Sequence, residues 1–169
     1  MLGSAWMAHT SRSSKAVLDR LELLFPERTV PSVVMEDALV ALHPQGLENI
    51  LFELFDNAVK FSTPNTVPRI NGAKNIKSGT YAISVFNHGE GLHQKEIKHI
   101  GPMVQFNRAK QEQQGWGLGL FIAKHLIEKS GGQIQFKSKI GSHFQVFLEL
   151  PLSERINEDK HASLKKTDA

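Results

Sequence analysis

Three glycines at alternate positions, Gly115, Gly117 and Gly119, open a run of apolar residues that includes Leu118. Glycine has no Cβ, so a glycine-rich loop lets backbone N–H groups converge closely on a ligand. The apolar residues that follow recur at helical spacing, and the N-terminus of the predicted helix adds partial positive charge at the same place. This pattern is typical of a phosphate-binding loop. The alternative interpretation is a plain turn.

A second group of polar residues lies on one face of a predicted amphipathic helix over 44–61. Glu53 and Asn57 are four residues apart and therefore share a face, with Lys60 close to it. An amide oxygen can coordinate Mg²⁺, an ammonium can neutralise phosphate charge, and a carboxylate can take a proton. Together they suit a metal–phosphate site. The alternative is an ordinary solvated helix face.

A third group follows a predicted buried strand over 81–86, which is rich in β-branched and aromatic residues. Asn87 stands at the end of this strand, where its side chain can hydrogen-bond to the edge of a base. Gly89 and Gly91 would let the chain pass close to a flat ligand. The alternative is a turn closed by a local bond of the asparagine side chain.

Taken in order, these segments resemble the ATP-binding motifs of the GHKL superfamily, specifically the catalytic domain of bacterial sensor histidine kinases. The amino-acid sequence of the glycine-rich region is most similar to that of kinases fused to a response-regulator receiver domain. The resemblance covers roughly residues 30–152. The matching segments are 53–62 for the N box, 87–91 for the G1 box, 100–108 for the F box, 115–120 for the G2 box and 130–151 for the closing hairpin.

The resemblance implies an α/β two-layer sandwich of the Bergerat type, in which one mixed sheet is covered on one face by three helices. The implied ATP-binding domain spans 30–152, with a partly disordered flank at 1–29 and a charged, disordered tail at 153–169. The implied cofactors are ATP and Mg²⁺. The implied partners are a histidine-containing dimerisation domain and a response regulator, and the implied location is cytoplasmic.

The resemblance also assigns catalytic roles on the helix. Asn57 would coordinate Mg²⁺, Lys60 would offset negative charge, and Glu53 would act as a base on an imidazole or on water. The γ-phosphoryl group would pass to a histidine, mostly through positioning and electrostatic stabilisation.

Nucleotide binding is assigned to the loops and turns. Adenine would be held by Asn87, Gly89 and Gly91. Phosphate would be cradled by the backbone of Gly115, Gly117, Leu118 and Gly119 at the start of the helix. Arg108 and Lys110, between the F and G2 boxes, would reach the β- and γ-phosphates.

One residue departs from the family pattern. The G1 box usually begins with an aspartate that accepts a hydrogen bond from the adenine amino group, and this position is Asn87. The amide oxygen can still accept that bond, but the charge is lost. We therefore expect adenine recognition to be kept and weakened by about 1 kcal/mol.

No histidine matches the phospho-acceptor pattern, in which a helical histidine is followed by an acidic residue. His9 lies in a polar segment, and His43 precedes Pro44, which disfavours helix there. The sequence therefore predicts a catalytic domain that binds ATP without phosphorylating itself. The alternatives are another ATPase of the superfamily, such as a gyrase-, Hsp90- or MutL-like fragment, and a non-catalytic regulatory module.

The composition of the chain argues against several other classes of protein. The 169 residues are 40% hydrophobic, enough for the core of one domain, and no run approaches the ~20 apolar residues of a membrane span. The net charge of +3 comes from dispersed lysines, so we expect no nucleic-acid partner. The absence of cysteine excludes disulfides and thiolate–metal sites.

Hydrophobic periodicity and turn residues predict the order of the remaining elements. Residues 1–13 are expected to be disordered, and the polar segment at 63–79 is expected to be largely loop. The predicted helices are 14–24, 44–61, 94–100 and 117–129, and the predicted strands are 32–35, 67–70, 80–86, 133–138 and 143–150.

Overall fold

The computed structural model describes residues 7–98, 100 and 118–153. Short strands and helices alternate in the first half of this range, and a β-hairpin closes it. The elements are β1 (Ala8–His9), α1 (Thr10–Leu24), β2 (Ser32–Met35), β3 (Leu39–Val40), α2 (Pro44–Lys60), β4 (Arg69–Asn75), β5 (Thr80–His88), α3 (Gln94–Lys98), α4 (Leu118–Lys129), β6 (Gln133–Lys139) and β7 (His143–Pro151).

Five strands form one mixed sheet in the order β2-β4-β5-β7-β6. β2 runs parallel to β4, and the other neighbours are antiparallel. Along β5 every second side chain, such as Ile83 and Val85, is buried against the helices, while Ser84 and Phe86 face the opposite side. β1 and β3 form a separate antiparallel pair.

α2 is the central helix of the other layer. It packs on β5 and contacts α1 on one side and α4 on the other. Its buried face includes Leu47, Ile50, Leu51, Leu54 and Phe55, each with almost no exposed surface. The predicted α/β architecture with a mixed sheet and a helical layer is confirmed.

The prediction of disorder over 1–13 is wrong for the part that the structure describes. α1 begins at Thr10, four residues before the predicted start. The Thr10 hydroxyl donates to the Glu36 carbonyl at 2.8 Å and accepts from the Ala38 N–H at 2.9 Å. Thr10 and Ser14 belong to a segment that resembles disordered sequence, but both residues are buried and each hydroxyl donates to a backbone carbonyl.

The strand predicted at 67–70 lies further along the chain, as β4. Its sequence, Arg-Ile-Asn-Gly-Ala-Lys-Asn, lacks the β-branched enrichment of an ordinary strand. It is held by pairing with β2 on one side and β5 on the other. Within the described ranges, no helix combines the length and apolar character that crossing a membrane requires.

Candidate functional site

A cavity of about 730 Å³ lies where the C-terminal end of α2 meets the segment after β5 and the turn between β6 and β7. Its volume is in the range of small-ligand and cofactor sites. Four of the residues that the sequence predicted for nucleotide binding or catalysis line it: Lys60, Asn87, Gly89 and Gly91. The other lining residues are Phe61, Ser62, Thr63, Pro64, Glu90, Leu92, His93, Glu96, Ile140, Gly141 and Phe144.

Asn87 points from β5 into the helical layer and is only 3% exposed. Its amide nitrogen donates to the carbonyl of Phe61 at 3.1 Å and more weakly to that of His88 at 3.4 Å. Because both partners are carbonyls, an aspartate could not make these bonds unless it were protonated. The structure therefore gives a local reason for asparagine, since its Nδ2 links β5 to the end of α2 and leaves Oδ1 as an acceptor.

The glycines after β5 lie where the chain is crowded. A Cβ on Gly89 would overlap the Phe61 carbonyl oxygen. Gly91 has a φ of +69°, and a Cβ there would approach the Ser138 hydroxyl oxygen to 2.7 Å. Both positions therefore require glycine for steric reasons, and Gly91 also for its backbone conformation.

Lys60 is 41% exposed and belongs to a small charged network. Its ammonium lies 3.8 Å from one oxygen of Asp56, one helical turn earlier in α2. The other oxygen of Asp56 accepts a hydrogen bond from the Arg28 guanidinium at 3.2 Å. Asp56 is thus shared between two cations, one of which, Lys60, also lines the cavity.

Glu53 lies against the first turn of α4. A Cβ on Gly119 would overlap its Oε2 atom and approach its Cδ to 2.7 Å. Burial raises the pKa of the Glu53 carboxyl, the nearby Asp56 charge raises it further, and Lys60 and Arg20 oppose the shift. A carboxyl with a raised pKa beside a helix N-terminus is a suitable proton acceptor.

Asn57 lies one turn beyond Glu53 on the same helix and is 7% exposed. Its side-chain amide provides an oxygen that can act as a hydrogen-bond acceptor or as a metal ligand. The described residues contain no cluster of three or more histidine or acidic side chains suited to a metal. A carboxamide oxygen is a ligand that Mg²⁺ accepts together with phosphate oxygens, so the side chain of Asn57 fits such an ion.

Glu53, Asn57 and Gly119 do not line the cavity itself but lie on α2 and at the start of α4. Arg108, Lys110, Gly115 and Gly117 lie outside the described residues, and the roles predicted for them stay predictions. The backbone of Leu118 begins α4.

The motifs in the sequence did not indicate the hairpin residues that complete the cavity. Ile140, Gly141 and Phe144 line it, and Ser138 lies directly behind the residues that follow β5. The resemblance of 130–151 to the closing hairpin of the family was the available signal. It identified the hairpin but not which of its side chains reach the site.

The family model described as "Histidine kinase-, DNA gyrase B-, and HSP90-like ATPase" matches residues 42–154. The sensor protein EvgS of Escherichia coli K12 is 30% identical over 129 residues, which is 74% of this chain and 11% of EvgS. The sensor protein GacS of Pseudomonas syringae is 32% identical over 159 residues, 86% of this chain and 17% of GacS. The chain thus spans less than a fifth of the length of these relatives.

Solved structures show the same fold at lower sequence identity. The mycobacterial sensor histidine kinase MprB superposes with a TM-score of 0.70 at 19% identity, covering 88% of this chain and 99% of that one. The catalytic domain of the histidine kinase ThkA superposes with a TM-score of 0.68 at 20% identity, covering 86% and 94%. At these identities the likeness concerns the fold alone.

Proposed function

The chain belongs to the family of histidine kinase-, DNA gyrase B-, and HSP90-like ATPases, and we propose that it is the ATP-binding catalytic domain of a sensor histidine kinase. One observation carries the proposal. A nucleotide-sized cavity brings Lys60 of α2 together with Asn87, Gly89 and Gly91 from the end of β5 and the residues after it. The sensor proteins among the relatives favour a kinase over the other branches of the family.

The adenine end of the nucleotide is assigned to the part of the cavity beside Asn87. With its amide nitrogen turned to the Phe61 carbonyl, Oδ1 of Asn87 is placed to accept from the exocyclic amino group of adenine. Gly89, Gly91 and Ile140 also line this cavity. Loss of the family's charged acceptor predicts weaker binding, not loss of binding.

The triphosphate end is assigned to α2 and the start of α4. Asn57 would hold Mg²⁺ through its amide oxygen, and the ion would neutralise the phosphate charge as transfer proceeds. Lys60 adds a second positive charge at the cavity wall. The N–H groups around Gly119 would bind phosphate, with Glu53 beside them as the base. The phosphate contacts predicted from the sequence are also proposed for the remaining residues, namely Arg108, Lys110, Gly115, Gly117 and Leu118.

The acceptor of the phosphoryl group is proposed to be a histidine on a dimerisation domain, with a response regulator as the next partner and the cytoplasm as the location. His9 and His43 are poor candidates for this role. His9 precedes α1 and lies 3.3 Å from Asp37, while His43 precedes α2 and accepts from the Gln45 N–H at 3.1 Å. Each histidine is thus placed at a helix start.

Calorimetric titration with a non-hydrolysable ATP analogue, with and without Mg²⁺, tests the proposal. The parent chain is expected to bind in the presence of Mg²⁺, and Asn57→Ala is expected to lose at least about tenfold in affinity, the effect of roughly 1.4 kcal/mol. Asn49→Ala is the matched control, because Asn49 lies on α2 but is exposed and bonds only to the side chain of Gln45 within the described residues.

Two results would overturn the proposal. Absence of binding at millimolar nucleotide would favour a non-catalytic regulatory module, in which Asn87 is one of the changes that abolish nucleotide binding. Steady hydrolysis of ATP to ADP by the chain alone would instead favour another ATPase of the family. A phosphate-release assay with ATP on the same protein preparation distinguishes these outcomes.

A further inference from the structure

Two turns meet at the wall of the cavity: the 89–92 turn, which follows β5, and the turn that joins β6 to β7. The β5–β7 ladder ends with the pairs Asn87–Phe144 and His88–His143. Beyond it, the Gly89 N–H donates to the Ser142 carbonyl at 3.1 Å, and the Gly141 N–H donates to the Glu90 carbonyl at 2.8 Å. The backbone of the hairpin is therefore bonded directly to the 89–92 turn.

One side chain adds to these backbone bonds. The hydroxyl of Ser138, on β6, accepts a hydrogen bond from the Leu92 N–H at 2.6 Å and donates to the His143 carbonyl at 3.3 Å. Ser138 thus lies between the end of the 89–92 turn and the start of β7. The bond to Leu92 spans 46 positions of the chain and fixes the point at which the turn ends.

The shape of the turn matches this contact. Gly91 is pressed so closely against the hairpin that an added Cβ would lie 2.7 Å from the Ser138 hydroxyl, 2.8 Å from the Lys139 carbonyl and 3.1 Å from the His143 carbonyl. Glycine at 91 lets the turn reach the hairpin, and the Ser138 hydroxyl holds the following N–H there. The two residues act as matched halves of one contact.

We propose that Ser138 is a positioning residue for the nucleotide site, which holds the 89–92 turn in the shape that contacts the adenine end. Gly89, Gly91 and Leu92 line the cavity, whereas Ser138 does not. Its action on a ligand is therefore indirect, through the backbone that it bonds. This inference rests on the proposed function, because the ligand being positioned is an adenine nucleotide.

Two substitutions remove the hydrogen bond. Ser138→Ala deletes the acceptor, and Ser138→Cys keeps nearly the same shape with a much weaker acceptor. Ser138→Thr keeps the hydroxyl and should therefore keep the hydrogen bond to Leu92 and the affinity for nucleotide. Ser84→Ala is the matched control, since Ser84 is also a serine of the sheet, on β5, and accepts one side-chain hydrogen bond, from Gln145 at 3.0 Å, but on the face away from the cavity.

The affinity for Mg-ADP is measured by calorimetry well below the lowest melting temperature of the set, so that every variant is folded. Hydrogen exchange of the Leu92 amide is measured without nucleotide. Ser138→Ala and Ser138→Cys are expected to weaken Mg-ADP binding about five- to tenfold, the effect of losing one ordinary hydrogen bond, and to speed Leu92 exchange. Ser138→Thr and Ser84→Ala should stay within about twofold of the parent in affinity.

The outcomes separate this inference from the proposed function. If the parent chain binds Mg-ADP and both Ser138 variants bind it equally well, the inference is overturned and the proposed function stands. An equal loss in Ser84→Ala would also overturn it, because the effect would then be general loss of stability. If the parent chain binds no nucleotide, the proposed function fails and the positioning role fails with it.

Discussion

Replacing Gly119 by alanine is expected to add less stability than alanine normally adds to a helix. An added Cβ would overlap Glu53 Oε2 and approach Cδ to 2.7 Å, so either the carboxylate or the start of α4 must move. Gly46, in the first turn of α2, is a matched control because its Cβ would meet Leu42 at an ordinary 3.5 Å. Alanine should therefore stabilise at 46 by up to ~1 kcal/mol.

The difference between the two variants isolates the contact, because both glycines lie in the first turn of a helix and their helix-propensity gains largely cancel. Overpacking a core costs about 1–3 kcal/mol, and because the end of the Glu53 side chain can move aside, Gly119→Ala should be less stable than Gly46→Ala by about 1 kcal/mol, the low end of that range. Urea unfolding at pH 7 measures both free energies of unfolding. In a Glu53→Ala background the obstructing atoms are absent, and the cost at Gly119 should disappear.

Two results would refute this reasoning about the site. Gly119→Ala could stabilise the chain as much as Gly46→Ala does, which would mean that Glu53 does not lie against α4. Alternatively, the cost of Gly119→Ala could persist unchanged in the Glu53→Ala background, which would assign it to a different neighbour.

Three further predictions concern single residues. Burial raises the pKa of Glu53 above its ordinary value of 4.5, so the stability linked to its protonated form is present below that value and lost as pH rises through the raised pKa. The free energy of unfolding of Glu53→Gln should therefore increase relative to that of the parent chain between about pH 4 and pH 7. A difference that does not depend on pH would contradict this. The largest cause that lowers the pKa of Asp37 below 3.8 is the hydrogen bond from Ser11, and the stability linked to this shift is present above that value and lost as pH falls. Ser11→Ala should raise the pKa of Asp37 in an NMR titration of the carboxyl carbon. An unchanged titration would show that Ser11 does not cause the shift. Asn87→Asp removes the donor to two backbone carbonyls and should lower the free energy of unfolding at pH 7 by about 1–3 kcal/mol; equal stability of the two proteins in urea would rule out the structural role given to the asparagine.

Elements with a long, regular pattern could be predicted from the sequence. α2 carries apolar residues at helical spacing over its whole length, and β5 alternates buried and half-buried side chains without interruption. β4 and the start of α1 could not be predicted in this way. Their polar residues are held by partners far along the chain, such as the Glu36 carbonyl for Thr10, and local periodicity does not report such contacts.

For the candidate site too, some features could be predicted from the sequence and others could not. The chemistry of their side chains indicated Asn57, Lys60 and Asn87, and the spacing of the glycines indicated the loops. What holds them in place was not visible. The bond from Asn87 to Phe61 spans 26 positions, and the contact between Arg28 and Asp56 spans 28. Such pairings depend on the packed fold.

The most direct test of the account is to locate bound nucleotide by NMR, by titrating the isotope-labelled chain with Mg-ADP and following the amide resonances. If nucleotide binds in this cavity, we expect large shifts for the Asn87 side-chain amide and for the backbone amides of Gly89, Gly91 and Leu92, which line it. Ser78, before the opposite end of β5, should not shift. Shifts confined to residues outside the cavity, or no shifts at millimolar Mg-ADP, would contradict the assignment of this cavity as the nucleotide site.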